Sequence, residues 1–234
     1  MNEHPPDTER GSSARGEVER IELDRQHAAF ARKVAESKAT APHVYLGAEA
    51  EMTRALELIA AGEVAVRDLI LRASALALRE LPRANGAYRD GAVELYSRIN
   101  PCFAVTAESG VIYPTVFDAD TKSLDEIAGE TRNLSKKVLD GSITAPDLSG
   151  STFTLQALDT PGVDRFTPIL NPPHAATLGT GSVEARPVAR ADGSVEARPT
   201  ITLDLACDSR IIGGAEGATF LARVRSLVED PTSL

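Results

Sequence analysis

The segment 66–81 is apolar around most of its circumference, and this feature constrains the fold more than any other. Its sequence, VRDLILRASALALREL, places leucine, isoleucine and alanine at most helical positions. A helix that is hydrophobic on most faces must be covered by other elements. Pro82 ends the segment, because proline cannot continue a helix. We therefore predict a helix that is buried under a sheet.

The rest of the chain mixes helical and extended patterns without strict alternation. Asp24 and Thr53 are candidate N-caps for the first two helices. Helices are predicted from their apolar spacing at 24–38, 53–62, 123–139 and 214–228. Strands are predicted at 42–52, 152–158, 175–179 and 200–206. This mixture predicts an α/β or α+β two-layer sandwich in which helices flank a mixed sheet.

Two places in the sequence predict hairpins. The extended runs 102–107 and 111–116 flank Glu108-Ser109-Gly110, which has the composition of a turn.

The second hairpin is predicted from a repeat, because GSVEARP occurs at both 181–187 and 193–199. A single pair of repeats cannot form a solenoid, which needs several stacked units. The two copies are therefore interpreted as the arms of one hairpin that turns at Asp192-Gly193.

Charge and hydropathy exclude several classes of protein. The net charge of -9, from 34 acidic and 25 basic side chains, argues against a nucleic-acid partner, since such binding depends on clustered lysine and arginine. No apolar run approaches the roughly 20 residues that span a bilayer, and the first residues lack the apolar centre of a signal peptide. We expect a cytoplasmic protein without a membrane partner.

One principal domain is expected at 20–234, preceded by a polar, mobile tail at 1–19. The two cysteines, Cys102 and Cys207, lie far apart and have no histidine cluster beside them. We interpret them as buried, reduced thiols and expect no metal site.

Six groups of residues lie in order along the chain at 36–45, 64–78, 118–128, 147–154, 166–173 and 208–215. Together they resemble the catalytic domain of the dihydrolipoamide acyltransferases of 2-oxoacid dehydrogenases, which are relatives of chloramphenicol acetyltransferase. The resemblance implies a chloramphenicol acetyltransferase-like fold and a homotrimer with an active-site channel between neighbours. Coenzyme A would enter that channel at one end and dihydrolipoyl at the other.

The resemblance also shows where the chain departs from the family's catalytic signature, Asp-His-Arg-x-x-Asp-Gly. Asp208 and Arg210 match it, but Ser209 stands in the histidine's place and Gly213 in that of the second acidic or amide side chain. A serine hydroxyl is a very weak base, and loss of a positioned general base costs about 10²–10⁴-fold in rate. We expect Asp208 and Arg210 to form a structural ion pair that holds the turn.

A second departure lies on the strand that supplies the family's oxyanion donor. Gln156 stands where the family has serine or threonine, and its amide can still donate a hydrogen bond. The interpretation that Gln156 is merely a tolerated polar residue has equal weight. From the neighbouring motifs, Thr154, Phe166 and Thr167 are expected to contact substrate.

Two histidines lie within the matching segments. His43 corresponds to a family histidine that has no part in proton transfer, and a structural role is the favoured interpretation. His174 stands in place of a more usual glutamine. It is a candidate replacement base, although a surface or interface histidine is the commoner explanation.

Three functions remain open. The first is a repurposed acyltransferase that takes an acyl group from coenzyme A or an acyl carrier protein and passes it to a small molecule. Its acceptor could be an acidic compound of polyketide or tetronate type in secondary metabolism. The second is a catalytically inactive core subunit of a 2-oxoacid dehydrogenase complex, although with Met1 as the start we expect no upstream binding domain. The third is a cyclase or eliminase that uses the same channel. We favour the first.

Overall fold

A computed structural model describes residues 11–14, 16–107, 110–158 and 160–234. Its helices are α1 (Arg25–Thr40), α2 (Thr53–Ala60), α3 (Val66–Glu80), α4 (Leu124–Leu139) and α5 (Gly214–Glu229). The first six strands are β1 (Gly11–Ser13), β2 (Gly16–Val18), β3 (His43–Glu51), β4 (Gly86–Arg89), β5 (Ala92–Leu95) and β6 (Pro101–Phe103). The others are β7 (Val105–Ala107), β8 (Gly110–Ile112), β9 (Phe153–Ala157), β10 (Ala176–Thr180), β11 (Glu184–Ala189) and β12 (Val195–Asp208).

The central sheet is mixed, as predicted. Its strand order is β11-β12-β10-β9-β6, and β3 pairs with the second half of β12. Strand β9 runs parallel to β10 and β6, whereas β12 runs antiparallel to β3, β10 and β11. Helices pack against this sheet, so the architecture is the predicted α/β sandwich.

Helix α3 is buried, which confirms the prediction from its all-round apolar pattern. Seven of its apolar side chains are at most 1% exposed: Leu69, Ile70, Leu71, Ala73, Ala75, Ala77 and Leu78. The helix also buries Asp68, whose carboxylate accepts from the Thr131 hydroxyl at 2.6 Å and from the Ala65 amide at 2.9 Å. A buried polar group costs little when it is paired in this way.

Two predicted N-caps have different outcomes. Asp24 caps α1, and its carboxylate accepts from the His27 amide at 2.8 Å. Thr53 does not cap α2, because Met52 holds the cap position and Thr53 is already the first helical residue. The Thr53 hydroxyl instead donates to Glu51 at 2.7 Å.

Both hairpins form. The repeat lies on β11 and β12, which pair around Asp192-Gly193 with Arg186 opposite Arg198. The predicted single run 102–107 is divided, because β6 joins the central sheet while β7 pairs with β8. Of the turn between β7 and β8, residues 108 and 109 lie outside the described part of the chain.

The predicted tail at 1–19 is described in part. Residues 1–10 and 15 lie outside the described chain, and β1 pairs with β2 as a small hairpin. Both cysteines are fully buried and unpaired, as expected. No helix among the described residues has both the length and the apolar character to cross a bilayer.

Candidate active site

A cleft of about 700 Å³ lies between α1, the β7–β8 hairpin, the end of β9 and the segment 166–172. Its volume is within the range of small-molecule sites. Its apolar lining consists of Phe30, Val34, Ala104, Val111, Ala157, Leu158, Phe166, Pro168, Ile169, Leu170 and Pro172. Its polar lining consists of Lys33, Thr106, Tyr113, Gln156, Thr160, Thr167 and Asn171. The cleft thus brings together three predicted site residues: Gln156, Phe166 and Thr167.

Gln156 and Tyr113 form a hydrogen-bonded pair in the cleft. The Gln156 amide nitrogen donates to the Tyr113 hydroxyl at 3.1 Å. Burial raises the pKa of Tyr113, against the opposing effect of the Gln156 hydrogen bond, so the hydroxyl keeps its proton. Each group retains one hydrogen to donate, since the amide has two and the tyrosine accepts from Gln156. The pair can therefore offer two donors to a bound oxygen atom.

The segment 166–172 is held as a wall of the cleft by contacts with three elements. The Ser37 hydroxyl donates to the Leu170 carbonyl at 2.7 Å. Nδ1 of His43 lies 2.7 Å from the Ala41 carbonyl and therefore donates to it, so that Nε2 accepts from the Leu170 amide at 3.3 Å. Both nitrogens of His43 are thus occupied, in agreement with its predicted structural role. Behind the wall, a Cβ on Gly179 would lie 3.0 Å from the Phe166 ring.

His174 is buried beneath this wall, with both ring nitrogens occupied. Nε2 lies 2.9 Å from the Ser151 carbonyl and therefore carries the proton, so Nδ1 accepts from the Thr154 hydroxyl at 2.8 Å. The side-chain amide of Asn171 in turn donates to the Thr154 hydroxyl at 3.0 Å. Burial lowers the pKa of His174 to about 4, despite the opposing effect of the Ser151 hydrogen bond.

These contacts correct two expectations. His174 is only 4% exposed, and its basic nitrogen is already bonded to Thr154, so it is in no position to take a proton from a substrate. Thr154 is fully buried and is not part of the cleft lining. Within the chain, Thr154 contacts both His174 and the Asn171 side chain of the segment 166–172.

Asp208 and Arg210 form the predicted ion pair at the end of β12. The Arg210 guanidinium contacts both carboxylate oxygens, at 2.9 and 2.6 Å, and the Arg210 amide donates to Asp208 at 3.1 Å. The guanidinium also lies over the Tyr88 ring, 4.1 Å from its centroid. Because Asp208 is buried, these contacts fix the turn that carries Ser209.

Ser209 is exposed, and its backbone amide donates to the Pro42 carbonyl at 2.9 Å. Gln156, Gly179 and Asp204 stand opposite one another on β9, β10 and β12. With neighbouring strands about 4.8 Å apart and a rise of about 3.3 Å per residue from Asp204 to Ser209, the Cα atoms of Gln156 and Ser209 are roughly 19 Å apart. The two positions therefore do not share a site within one chain.

Comparison with known families identifies the type of domain. Residues 15–234 match the model of the 2-oxoacid dehydrogenases acyltransferase catalytic domain. The chain belongs to this family. A solved dihydrolipoamide acetyltransferase from Azotobacter vinelandii, studied for the catalytic roles of a serine, a histidine and an asparagine, superimposes with a TM-score of 0.89. It is 28% identical, over 99% of this chain and 98% of that one.

Curated relatives of this acyltransferase domain are longer proteins. One is the dihydrolipoyllysine-residue acetyltransferase component 2 of the mitochondrial pyruvate dehydrogenase complex of Arabidopsis thaliana, which is 34% identical over 87% of this chain and 40% of the relative. The corresponding component of Rickettsia bellii is 31% identical, over 86% and 50%. The chain thus spans about half the length of such relatives or less.

The fold extends beyond the family. A chloramphenicol acetyltransferase superimposes with a TM-score of 0.57 at 16% identity, over 84% of this chain and 94% of that one. At this identity the likeness concerns the fold alone, and it confirms the predicted chloramphenicol acetyltransferase-like architecture.

Two cleft residues of this acyltransferase domain were not predicted from its sequence. Lys33 follows Phe30 at helical spacing on α1, so a charged residue on an otherwise apolar face was the available signal. Tyr113 lies in the predicted extended run 111–116, and only the packing of that run against β9 brings its hydroxyl to Gln156. No group of three or more potential metal ligands occurs in the described ranges.

Proposed function

We propose that this chain transfers an acyl group from a thioester of coenzyme A or of an acyl carrier protein to a small-molecule acceptor. The observation that carries the proposal is the pair of hydrogen-bond donors, Gln156 and Tyr113, in an open cleft of an acyltransferase-family domain. Phe166 and Thr167 line the same cleft and would contact the substrate.

The proposed chemistry uses this pair to stabilise charge. The acceptor oxygen attacks the thioester carbonyl carbon, and the carbonyl oxygen becomes negatively charged. Donors already aimed at that oxygen stabilise the transition state, because they need no reorganisation during the reaction. The tetrahedral intermediate then collapses and its C–S bond breaks, and the released thiolate takes up the proton that the acceptor loses. Gln156 and Tyr113 serve as the oxyanion donors.

A homotrimer is part of the proposal. The roughly 19 Å between Gln156 and Ser209 within one chain is too long for one reacting centre to touch both. A channel between neighbouring protomers would bring Ser209 of one chain towards the cleft of the next. The small-molecule acceptor and the acyl donor would meet in that channel.

The acceptor in this scheme supplies its own acidity. Ser209 is a very weak base, and the basic nitrogen of His174 is bonded to Thr154. An enol or another acidic hydroxyl ionises without a strong base. A polyketide or tetronate acceptor from secondary metabolism has this property, and we propose this class.

The test of this function is release of free coenzyme A from acetyl-coenzyme A, measured with dihydrolipoamide and with an enolic tetronate as acceptors. We expect turnover with the tetronate and little with the thiol. Gln156→Leu should lower turnover by about 10²–10³-fold, the usual loss for one oxyanion donor. Turnover that is equal in the wild type and this variant would contradict the assignment of Gln156.

A paired variant tests the role of position 209. We expect Ser209→His combined with Gly213→Asp to gain acetyl transfer to dihydrolipoamide, because an imidazole can act as the missing base. Ser233→His adds an imidazole at an exposed serine near the C-terminus and serves as the matched control. A gain equal to that of the control would show that position 209 does not face the reacting thiol.

A second candidate function is that of a non-catalytic core subunit. It is favoured by the arrangement around His174, which leaves this imidazole no access to substrate. In that case the chain should form mixed oligomers with an intact dihydrolipoamide acyltransferase and release no coenzyme A with any acceptor. Native mass spectrometry of the two proteins, mixed after separate purification, distinguishes the two functions.

A further inference from the structure

Lys33 is the charged residue of the cleft wall, and no hydrogen bond or ion pair joins it to any described residue. Most charged side chains elsewhere have partners; Arg210 with Asp208 and Arg165 with Asp204 are two examples. Several other basic residues also have no ion pair, but Lys33 is the one charged residue among the described residues that line the cleft.

The surroundings of Lys33 favour a ligand that brings the missing negative charge. The lining residues that the structure describes include no aspartate or glutamate. The Lys33 side chain is exposed to solvent beside the cleft, and desolvation by the atoms packed around it lowers the pKa of its ammonium group. A cation in a partly apolar setting gains more from an anionic partner than one in open water.

The remaining lining defines the body of such a ligand. Phe30 and Val34 flank Lys33 on α1, and Phe166, Ile169 and Leu170 contribute the facing wall. Apolar side chains of this kind bind an apolar body, whereas a strongly hydrated polyanion would leave them in contact with polar groups.

We infer that the cleft selects an acceptor with an apolar body and a single negative charge, as a carboxylate or an enolate, and that Lys33 pairs with this charge. The ligand is called an acceptor because this inference rests on the proposed acyl transfer. The binding preference itself can be measured without turnover. Lys33 is thus a specificity-determining residue of this site.

The experiment compares two probes of the same length, octanoate and octanamide, by isothermal titration calorimetry on the full chain. We expect octanoate to bind about tenfold more tightly, the gain from one charge-assisted hydrogen bond. Lys33→Met should abolish this preference and leave octanamide affinity within about twofold, whereas Lys33→Arg should retain the preference. Lys136→Met is the matched control, because this exposed lysine lies on α4, outside the cleft.

Three outcomes would overturn the inference. The first is equal affinity of the wild type for the two probes. The second is an octanoate preference that survives in Lys33→Met or is lost equally in Lys136→Met. The third is that Lys33→Met binds coenzyme A more weakly than the wild type does but binds dephospho-coenzyme A equally well. That result would assign Lys33 to the coenzyme's phosphate.

Failure of the proposed function has a different signature. If the chain prefers octanoate through Lys33 but releases no coenzyme A with any acceptor, the anion site is supported and the proposed transfer activity is refuted. If an enolic acceptor is turned over and Lys33→Met has no effect, the transfer activity is supported and the anion site is refuted.

Discussion

The buried histidine predicts an unusual dependence of stability on pH. Desolvation lowers the pKa of His174 from 6.5 to about 4, while in the unfolded chain the imidazole titrates normally. Well above about pH 6.5 neither state binds a proton at this site, so its contribution to stability does not vary. Below that pH the unfolded chain takes up a proton that the folded chain refuses. Stability therefore falls with pH until the folded protein is protonated near pH 4.

The size of the effect follows from these two pKa values. The contribution of His174 to the free energy of unfolding falls by about 1.4 kcal/mol at about pH 5.5 and by about 2.5 kcal/mol at about pH 4.5. Other groups titrate in acid too, such as Asp147, whose pKa the Thr144 hydroxyl and amide and the Lys137 ammonium lower to about 2. They are common to wild type and variant, so a difference between the two isolates His174.

His174→Gln is the appropriate perturbation, because an amide retains one acceptor for Thr154 and one donor for the Ser151 carbonyl. We expect it to cost about 1–2 kcal/mol near neutral pH, through imperfect hydrogen bonds. By about pH 4.5 the variant should be the more stable protein, because it has no imidazole to protonate. Urea unfolding at several pH values and matched protein concentration measures both curves. A stability difference that stays constant from about pH 7.5 to about pH 4.5 would refute the reasoning.

Two further variants test the packing. Gly129 lies within α4, where an added Cβ meets no atom within 4 Å, so Gly129→Ala should raise the free energy of unfolding by about 0.5–1 kcal/mol. Gly181→Ala is its counterpart and should lower the free energy of unfolding, since the added Cβ would lie 2.2 Å from the Asp164 carbonyl oxygen. Equal urea midpoints for the two variants would contradict both predictions. Arg210→Met leaves Asp208 buried without its partner. The free energy of unfolding in urea should fall by about 2 kcal/mol, a figure already reduced because Arg210 is partly exposed. A urea midpoint equal to that of the wild type would show that the pair contributes nothing.

Much of the fold could be predicted from local patterns. The apolar circumference of α3 required burial, and the structure buries it. The repeated GSVEARP segment required no long-range information either, since a hairpin brings its two copies together through one turn. Prediction failed at Thr53 and at the division between β6 and β7. In both cases the backbone follows pairing with a distant strand, which a window of neighbouring residues does not contain.

Prediction of the site was less complete, because it depended on which positions of a strand are covered by distant segments. Gln156, Phe166 and Thr167 do line one cleft. Thr154 lies two residues before Gln156 on β9, yet it is enclosed with His174 beneath the wall. Sequence spacing places Thr154 and Gln156 on the same strand. Only the contacts with Asn171 and Ser151 show that the polar atoms of Thr154 and His174 already have hydrogen-bond partners.

The sequence by itself determined the family, the layered architecture and the serine at position 209, because these depend on residue identity and on local periodicity. The tertiary structure alone decided which polar groups remain available to a ligand. A hydrogen bond or a burial cost depends on atoms brought together from distant parts of the chain. Hence His174, chemically the better base, is occupied, while Lys33, on an ordinary helix, is left with an unpaired charge beside the cleft.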